Sequence, residues 1–163
     1  MTNDNISKIV KSIVSEMNGA APIKCITLDI AKELIAKVEA KAAEMGVKAV
    51  VAVSNTAARP VAIECMDDSY IASYDVALNK AYTVVALKMP TIKLKELSQP
   101  GGSLYGIQFT NGGQIVIFGG GDPLIYNSCL IGGLGVSGGT EEQDTALSAY
   151  GAECLEDIIN KRR

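Results

Sequence analysis

Apolar residues first recur along this chain at helical spacing. Ile6, Ile9, Val10, Ile13, Val14 and Met17 share one face of a helix, and Asn5, Ser7, Lys8, Lys11, Ser12, Ser15 and Glu16 take the other. Asn3 or Asp4 supplies a side-chain oxygen for the orphan N–H groups at its start, and Asn18-Gly19 suits a left-handed stop. So short a helix is marginal alone in water and needs a surface to bury its stripe. Residues 19–26 then read as a linker.

The same period returns from Thr27 to Gly46, with Ala31, Leu34, Ile35, Val38, Ala42 and Met45 as the stripe. "KAVVAVSN" (48–55) is a β-branched run bounded by turn residues. After Arg59-Pro60, "VAIECM" (61–66) reads as its hairpin partner. The pattern predicts a second long helix over 67–89, capped by Asp68 or Ser69. Ile71, Tyr74, Leu78, Ala81 and Val85 lie on one side of it, and Val76, Val84 and Leu87 spread around it. A helix apolar over most of its girth is covered on two sides. In a chain this short the second cover is expected to be another subunit.

Pro90 ends that helix, "TIKLKELS" adds a short one, and "QPGGSLYGIQFTNGG" (99–113) is a glycine-punctuated loop. "QIVIFGG", "DPLIYNS" and "CLIGGLGVSGG" predict three more strands. Gly132, Gly133 and Gly135 weaken the last of these as a strand, so close approach of backbone or ligand should compensate. "TEEQDTALSAYGAECLEDIINKRR" is a final helix opened by a Thr140–Gln143 capping box. Hairpin-length connections favour an α+β fold, with five strands in an antiparallel sheet flanked by helices.

The chain's 163 residues suit one domain with a sizeable core. Its net charge is −3 with no basic block, which removes the main source of affinity for nucleic acid. No apolar run is long enough to span a bilayer, and the first helix lacks the continuous apolar core of a secretory signal. Cys25, Cys65, Cys129 and Cys154 are far apart and there is no histidine. That spacing argues against a metal site and for reduced thiols in a cytoplasmic protein.

Candidate chemistry is sparse. "GGLGVSGGT" before a helix invites a phosphate loop, but Glu141 and Glu142 fill the first turn and would repel the anion, and the lysine of a Walker loop is missing. Lys80 stands mid-helix among apolar residues. There it is either an amine with a shifted pKa, a partner for a carboxylate, or a side chain that snorkels out. Tyr105 lines a pocket or plugs the core. Asp144 is a ligand group or a solvated residue.

"PGGSLYGI", followed by "GGGDPLIYNSCLIGGLGVSGGTEEQD", resembles the GlcG/HbpS family, which includes the C-terminal domain of PduO proteins. "ALNKAYTVVAL" is similar to that family's KA-x-T helix, with Lys80, Ala81 and Thr83 in place. The resemblance covers about residues 24–158. It implies a profilin-like sheet, a homo-oligomer (commonly an octamer) and haem or corrinoid as ligand, although no histidine is present to bind haem iron. The adenosyltransferase part of full-length PduO is absent, so cobalamin adenosylation is not implied.

Residues 2–17 are similar to the encapsulation peptides that bring cargo to bacterial microcompartment shells. The resulting division is a targeting helix over 1–18, a linker over 19–26 and a GlcG/HbpS-like domain over 27–163. The leading expectation is a microcompartment accessory protein in the lumen, joined to shell or cargo proteins through residues 2–17. Its cofactor cleft would be built from Gly101, Gly102 and Tyr105, from Gly120, Gly121 and Pro123, and from Ser137, Gly138 and Thr140. Lys80 and Asp144 would stand beside it, with Lys80 meeting a ligand carboxylate. The alternatives are a ligand-free scaffold, and an enzyme acting on a hydroxy acid or aldehyde.

Overall fold

The computed structural model describes residues 23–162. The expected helix at 5–19 and most of the linker lie outside that range. Helix α1 (Leu28–Glu44) starts at Thr27, whose hydroxyl accepts from Ile30 N at 3.4 Å. It buries Ile30, Ala31, Leu34, Ile35, Val38 and Ala42. Strands β1 (Val50–Ser54) and β2 (Pro60–Cys65) form the hairpin read from the sequence. Helix α2 (Ser73–Leu87) and the short α3 (Thr91–Ser98) follow. A long loop with two turns of 3-10 helix then leads to strands β3 (Gly121–Tyr126) and β4 (Cys129–Ser137) and to helix α4 (Glu141–Asn160).

The sheet is antiparallel throughout, in the order β2-β1-β4-β3. It has four strands rather than five. The segment 114–120 stays out of it, and two of its N–H groups are met by helix side chains, Val116 N by Thr83 and Gly119 N by Glu141. The hydroxyl of Thr83 on α2 accepts from Val116 N at 3.0 Å, lies 3.3 Å from the Gln114 carbonyl and has its shortest donor contact, 2.7 Å, with the Asn79 carbonyl of its own helix. Ile115 and Val116 are buried all the same, so their apolar pattern reflects burial without strand pairing.

Helix α2 also begins later than its pattern predicts. Asp68 has a φ of +64° and sits in a turn closed by Ser69 N on the Met66 carbonyl, so it does not cap the helix. Ala72 stands at the N-cap position, without a side-chain bond. The Thr140–Gln143 capping box of α4 is present in both directions, at 3.3 and 2.9 Å.

The two faces of the sheet are covered unequally. Val51, Val53, Leu134 and Val136 on one face meet Leu34, Ile35, Val38, Leu147, Leu155 and Ile158 of α1 and α4 in the main core. The opposite face carries Val50 and Ala52, which meet Ala77 and Ala81 of α2, with Ile63 of β2 packed beside them. Small residues let α2 lie close to the strands. A Cβ on Gly135 would overlap the Ala77 carbonyl oxygen and stand 2.6 Å from Ala81 N. One on Gly133 would run into the Ala81 carbonyl and Val84. The glycines of β4 therefore admit a helix backbone, which is the close approach that the sequence pattern requires. The Ser54 hydroxyl seals this contact by donating to the Ala81 carbonyl at 2.8 Å.

Gly135→Ala is expected to lower unfolding stability by at least ~1–3 kcal/mol, the usual penalty of overpacking, because the neighbouring atoms are backbone and cannot rotate aside. Urea unfolding followed by far-UV circular dichroism measures it, and an unchanged midpoint would contradict the close approach.

Candidate functional site

Lys80 lies on the sheet-facing side of α2, one turn from Ala77 and Val84. It is fully buried and does not snorkel. Its ammonium donates to the Val136 carbonyl at 2.7 Å and to Asp144 Oδ2 at 2.8 Å. The Phe118 ring stands over it, 5.1 Å from Nζ to the ring centre. Asp144 belongs to the first turn of α4, and its other oxygen, Oδ1, accepts from Gly139 N at 2.9 Å. One cation thus joins α2, β4 and α4.

Gly120 packs against this pair. Its φ of +105° suits glycine, and a Cβ there would stand 2.6 Å from Lys80 Nζ and 2.7 Å from Asp144 Cβ. Its carbonyl accepts from Val136 N at 2.8 Å, and Gly121 N donates to the Thr91 hydroxyl at 2.9 Å. Glu141 holds the turn from outside. It accepts from Gly119 N at 2.8 Å and pairs with Lys95 of α3.

Burial dominates the titration of the inner pair. It pushes the Lys80 amine below its ordinary value, against the attraction of Asp144. It also raises the Asp144 carboxyl, against Lys80 and the Gly139 and Gly138 amides. Glu141 shifts the other way, lowered first by the Gly119 N–H and then by Lys95.

The sequence-derived candidates therefore separate into groups. Lys80, Gly120, Gly121 and Asp144 converge, but Lys80 and Asp144 satisfy each other. The ammonium has no path to a ligand carboxylate while Phe118 and the glycine turn stand as they do. Ser137 is buried, and its hydroxyl donates to that of Ser73 at 3.1 Å. Thr140 is spent on the α4 cap. Pro123 pairs with Gly133 in the sheet. Gly102 packs against the Leu97 carbonyl of α3, Gly101 has no atom within contact distance of a built Cβ, and Tyr105 projects into solvent. No bond or packing contact links the 101–105 loop to the Lys80 pair among the described residues.

Gly138 is half-buried, with its α-carbon close to the Lys48 carbonyl. With Gly139, Val47, Lys48, Asp68, Tyr70 and Gln143 it lines a hollow of about 210 Å³. Tyr70 is 72% exposed there. Sequence reading missed Tyr70 and Lys48, which belong to different turns and carry no shared motif. It also missed Phe118, placed in a strand that does not form.

The family model described as haem degrading protein HbpS-like matches residues 26–153. The chain belongs to the HbpS-like family. This HbpS-like chain is 44% identical over 142 residues to an uncharacterized 15.0 kDa protein of the dhaT-dhaS intergenic region of Citrobacter freundii, covering 87% of this chain and 100% of that one. It is 32% identical over 149 residues to the corrinoid adenosyltransferase PduO of the same organism, covering 90% of this chain but only 44% of PduO. Among solved structures, the Klebsiella pneumoniae protein ORFY superposes with a TM-score of 0.80 at 42% identity, over 85% of this chain and 96% of that one. A PduOC:heme complex superposes with a TM-score of 0.76 at 32% identity, over 79% of this chain and 94% of that one. Streptomyces reticuli HbpS, at 22% identity and a TM-score of 0.72 over 85% of this chain and 92% of that one, shares the fold.

The HbpS-like domain should carry a pH-dependent brace at Glu141. A carboxyl with a lowered folded-state pKa adds stability above its unfolded value, which is near 4.5, and that stability is lost as pH falls through the folded value. Glu141→Gln is expected to destabilise at neutral pH and to lose this contribution to acid sensitivity. Thermal unfolding of both proteins from neutral pH down to acid measures it, and parallel curves would refute the brace.

Proposed function

We propose that this HbpS-like chain is a homo-oligomeric accessory protein that binds a tetrapyrrole, with haem preferred over a corrinoid. The observation that carries this reading is the match to the PduOC:heme complex over nearly the whole of that chain. Residue chemistry supports it with one change of donor. The sequence has no histidine, so an iron ligand must come from tyrosine, cysteine or methionine. Tyr70 lines the hollow together with Gly138 and Gly139, and Lys48, a partner for a ligand carboxylate, and Asp68 line it too.

The fit is therefore of a flat, carboxylate-bearing ligand with an oxygen donor. The hollow is smaller than the ~300–1,000 Å³ of ordinary cofactor sites, so the proposal requires a second copy to complete the cleft. Haem, when bound, supplies redox-active iron. The chain's own part is to bind and orient it. Lys80 and Asp144 act by fixing the position of the 138–139 backbone.

The cellular setting forms part of the same proposal. The sequence of residues 2–17 supports an address for a microcompartment shell or for its other cargo, and the PduO relatives support the compartment. No helix among the described residues is long and apolar enough to cross a membrane.

Titration of the pure protein with hemin is expected to give a saturable change in the visible spectrum, with cobalamin giving none. Tyr70→Phe should shift the band and weaken binding by about tenfold, the loss of one charge-assisted contact. No saturable change up to high micromolar hemin would end the haem reading, and an unaltered Tyr70→Phe spectrum would end the role of Tyr70. Separately, residues 1–18 fused to a fluorescent protein should gather into puncta in cells that make shells, and diffuse fluorescence would refute the address.

A further inference from the structure

Helix α2 has a second apolar side that is left at least partly open among the described residues. Its inner face, Ala77, Lys80, Ala81 and Val84, is packed on the sheet. On the outer side Leu78, Tyr82 and Ala86 fall at intervals of four, with Asp75 one turn before Leu78 and Ile71 in the turn that precedes the helix. These steps follow a single helical seam. Ile71 is 96% exposed, Leu78 and Tyr82 are half-buried, and Tyr74 on the flank is 45% exposed. The Tyr82 phenol accepts from Asn111 Nδ2 at 3.1 Å, which fixes its ring beside the seam.

Charge along this helix is polar in the literal sense. Asp75 lies in its first turn, Asp67 and Asp68 lie in the turn that leads into it, and Lys88 stands at its C-cap. All four are exposed. The positive end of the helix dipole coincides with the acidic end, and the negative end with the lysine. Two such helices side by side and parallel would set like charges together. Antiparallel, each acidic end meets the partner's lysine.

We propose that the outer face of α2 is a two-fold interface with a second copy of this chain, the two α2 helices running antiparallel and crossing near Leu78. This rests on the oligomeric reading above and specifies its contact. A self-complementary seam of this kind needs no other partner, because residue i on one copy meets residue j on the other and j meets i. Leu78, at the midpoint of the seam, then packs against its own equivalent. Asp75 faces Tyr82 of the other copy, whose hydroxyl proton is free to donate because its oxygen already accepts from Asn111.

The test uses the full chain and light scattering. Leu78→Glu sets two like charges against each other at the axis and should cut the assembly mass by about half or more, with the circular dichroism spectrum retained. Leu78→Cys should yield a disulfide-linked dimer under mild oxidation, beyond any formed by the unsubstituted protein. Lys88→Asp should weaken the assembly, and adding Asp67→Lys and Asp68→Lys should restore it. A multimer indifferent to Leu78→Glu, with no cross-link from Leu78→Cys, would overturn this interface and leave the oligomeric reading standing. A monomeric wild-type protein at micromolar concentration would overturn both.

Discussion

One ammonium group, shut away from water, organises the part of this protein where function is sought. Lys80 reaches from α2 to a strand carbonyl and to a carboxylate on α4. Burying two charges is expensive, and attraction alone barely repays it. The pKa directions show this, since burial outweighs the partner's field at both residues. What the pair provides is position. It can form only where α2 lies almost on the backbone of β4, and that approach requires Gly133 and Gly135 without side chains. Gly120 leaves room for the ammonium itself. The 138–139 backbone is then held by Asp144 on its inner side, while its outer side borders the open hollow.

Seen from this pair, helix α2 has two jobs. Its inner face joins the sheet to α4. Its outer face is, in the interface proposed above, the surface offered to another copy. A helix confined on the inside by backbone contacts has little freedom to rotate, so the outer seam is presented in a fixed orientation. Rigid presentation lowers the ordering cost of association. The glycines of β4 thus act in packing and, in the proposed interface, set the orientation of α2.

Much of the fold was legible because burial follows period. Thr27, Gly46 and the Thr140–Gln143 box marked helix ends through local hydrogen bonds, and these formed where the sequence placed them. The two-sided pattern of α2 was equally plain. Residues 114–120 were not, because their apolar alternation looks the same whether a strand or a helix side chain such as Thr83 meets the backbone N–H groups. Asp68 looked like a cap and instead turned the chain left-handed. At the site, the GGG and GVSGG runs announced close approach, but a glycine does not say whether backbone or ligand approaches. Lys80 and Asp144 were each visible as odd residues. Their partnership, across 64 positions, was not. The missing histidine was readable at once, but the sequence marks out none of its tyrosines, methionines or cysteines as a substitute iron donor.

A double-mutant cycle on this pair tests the central claim most directly. Urea unfolding would be measured for wild type, Lys80→Met, Asp144→Leu and the double variant. Each single change should lose about 3–5 kcal/mol by stranding a buried charge, and the double variant should lose far less than their sum. Single losses that are small, or that simply add in the double variant, would show that the two residues do not hold each other and that α2 is fixed by something else.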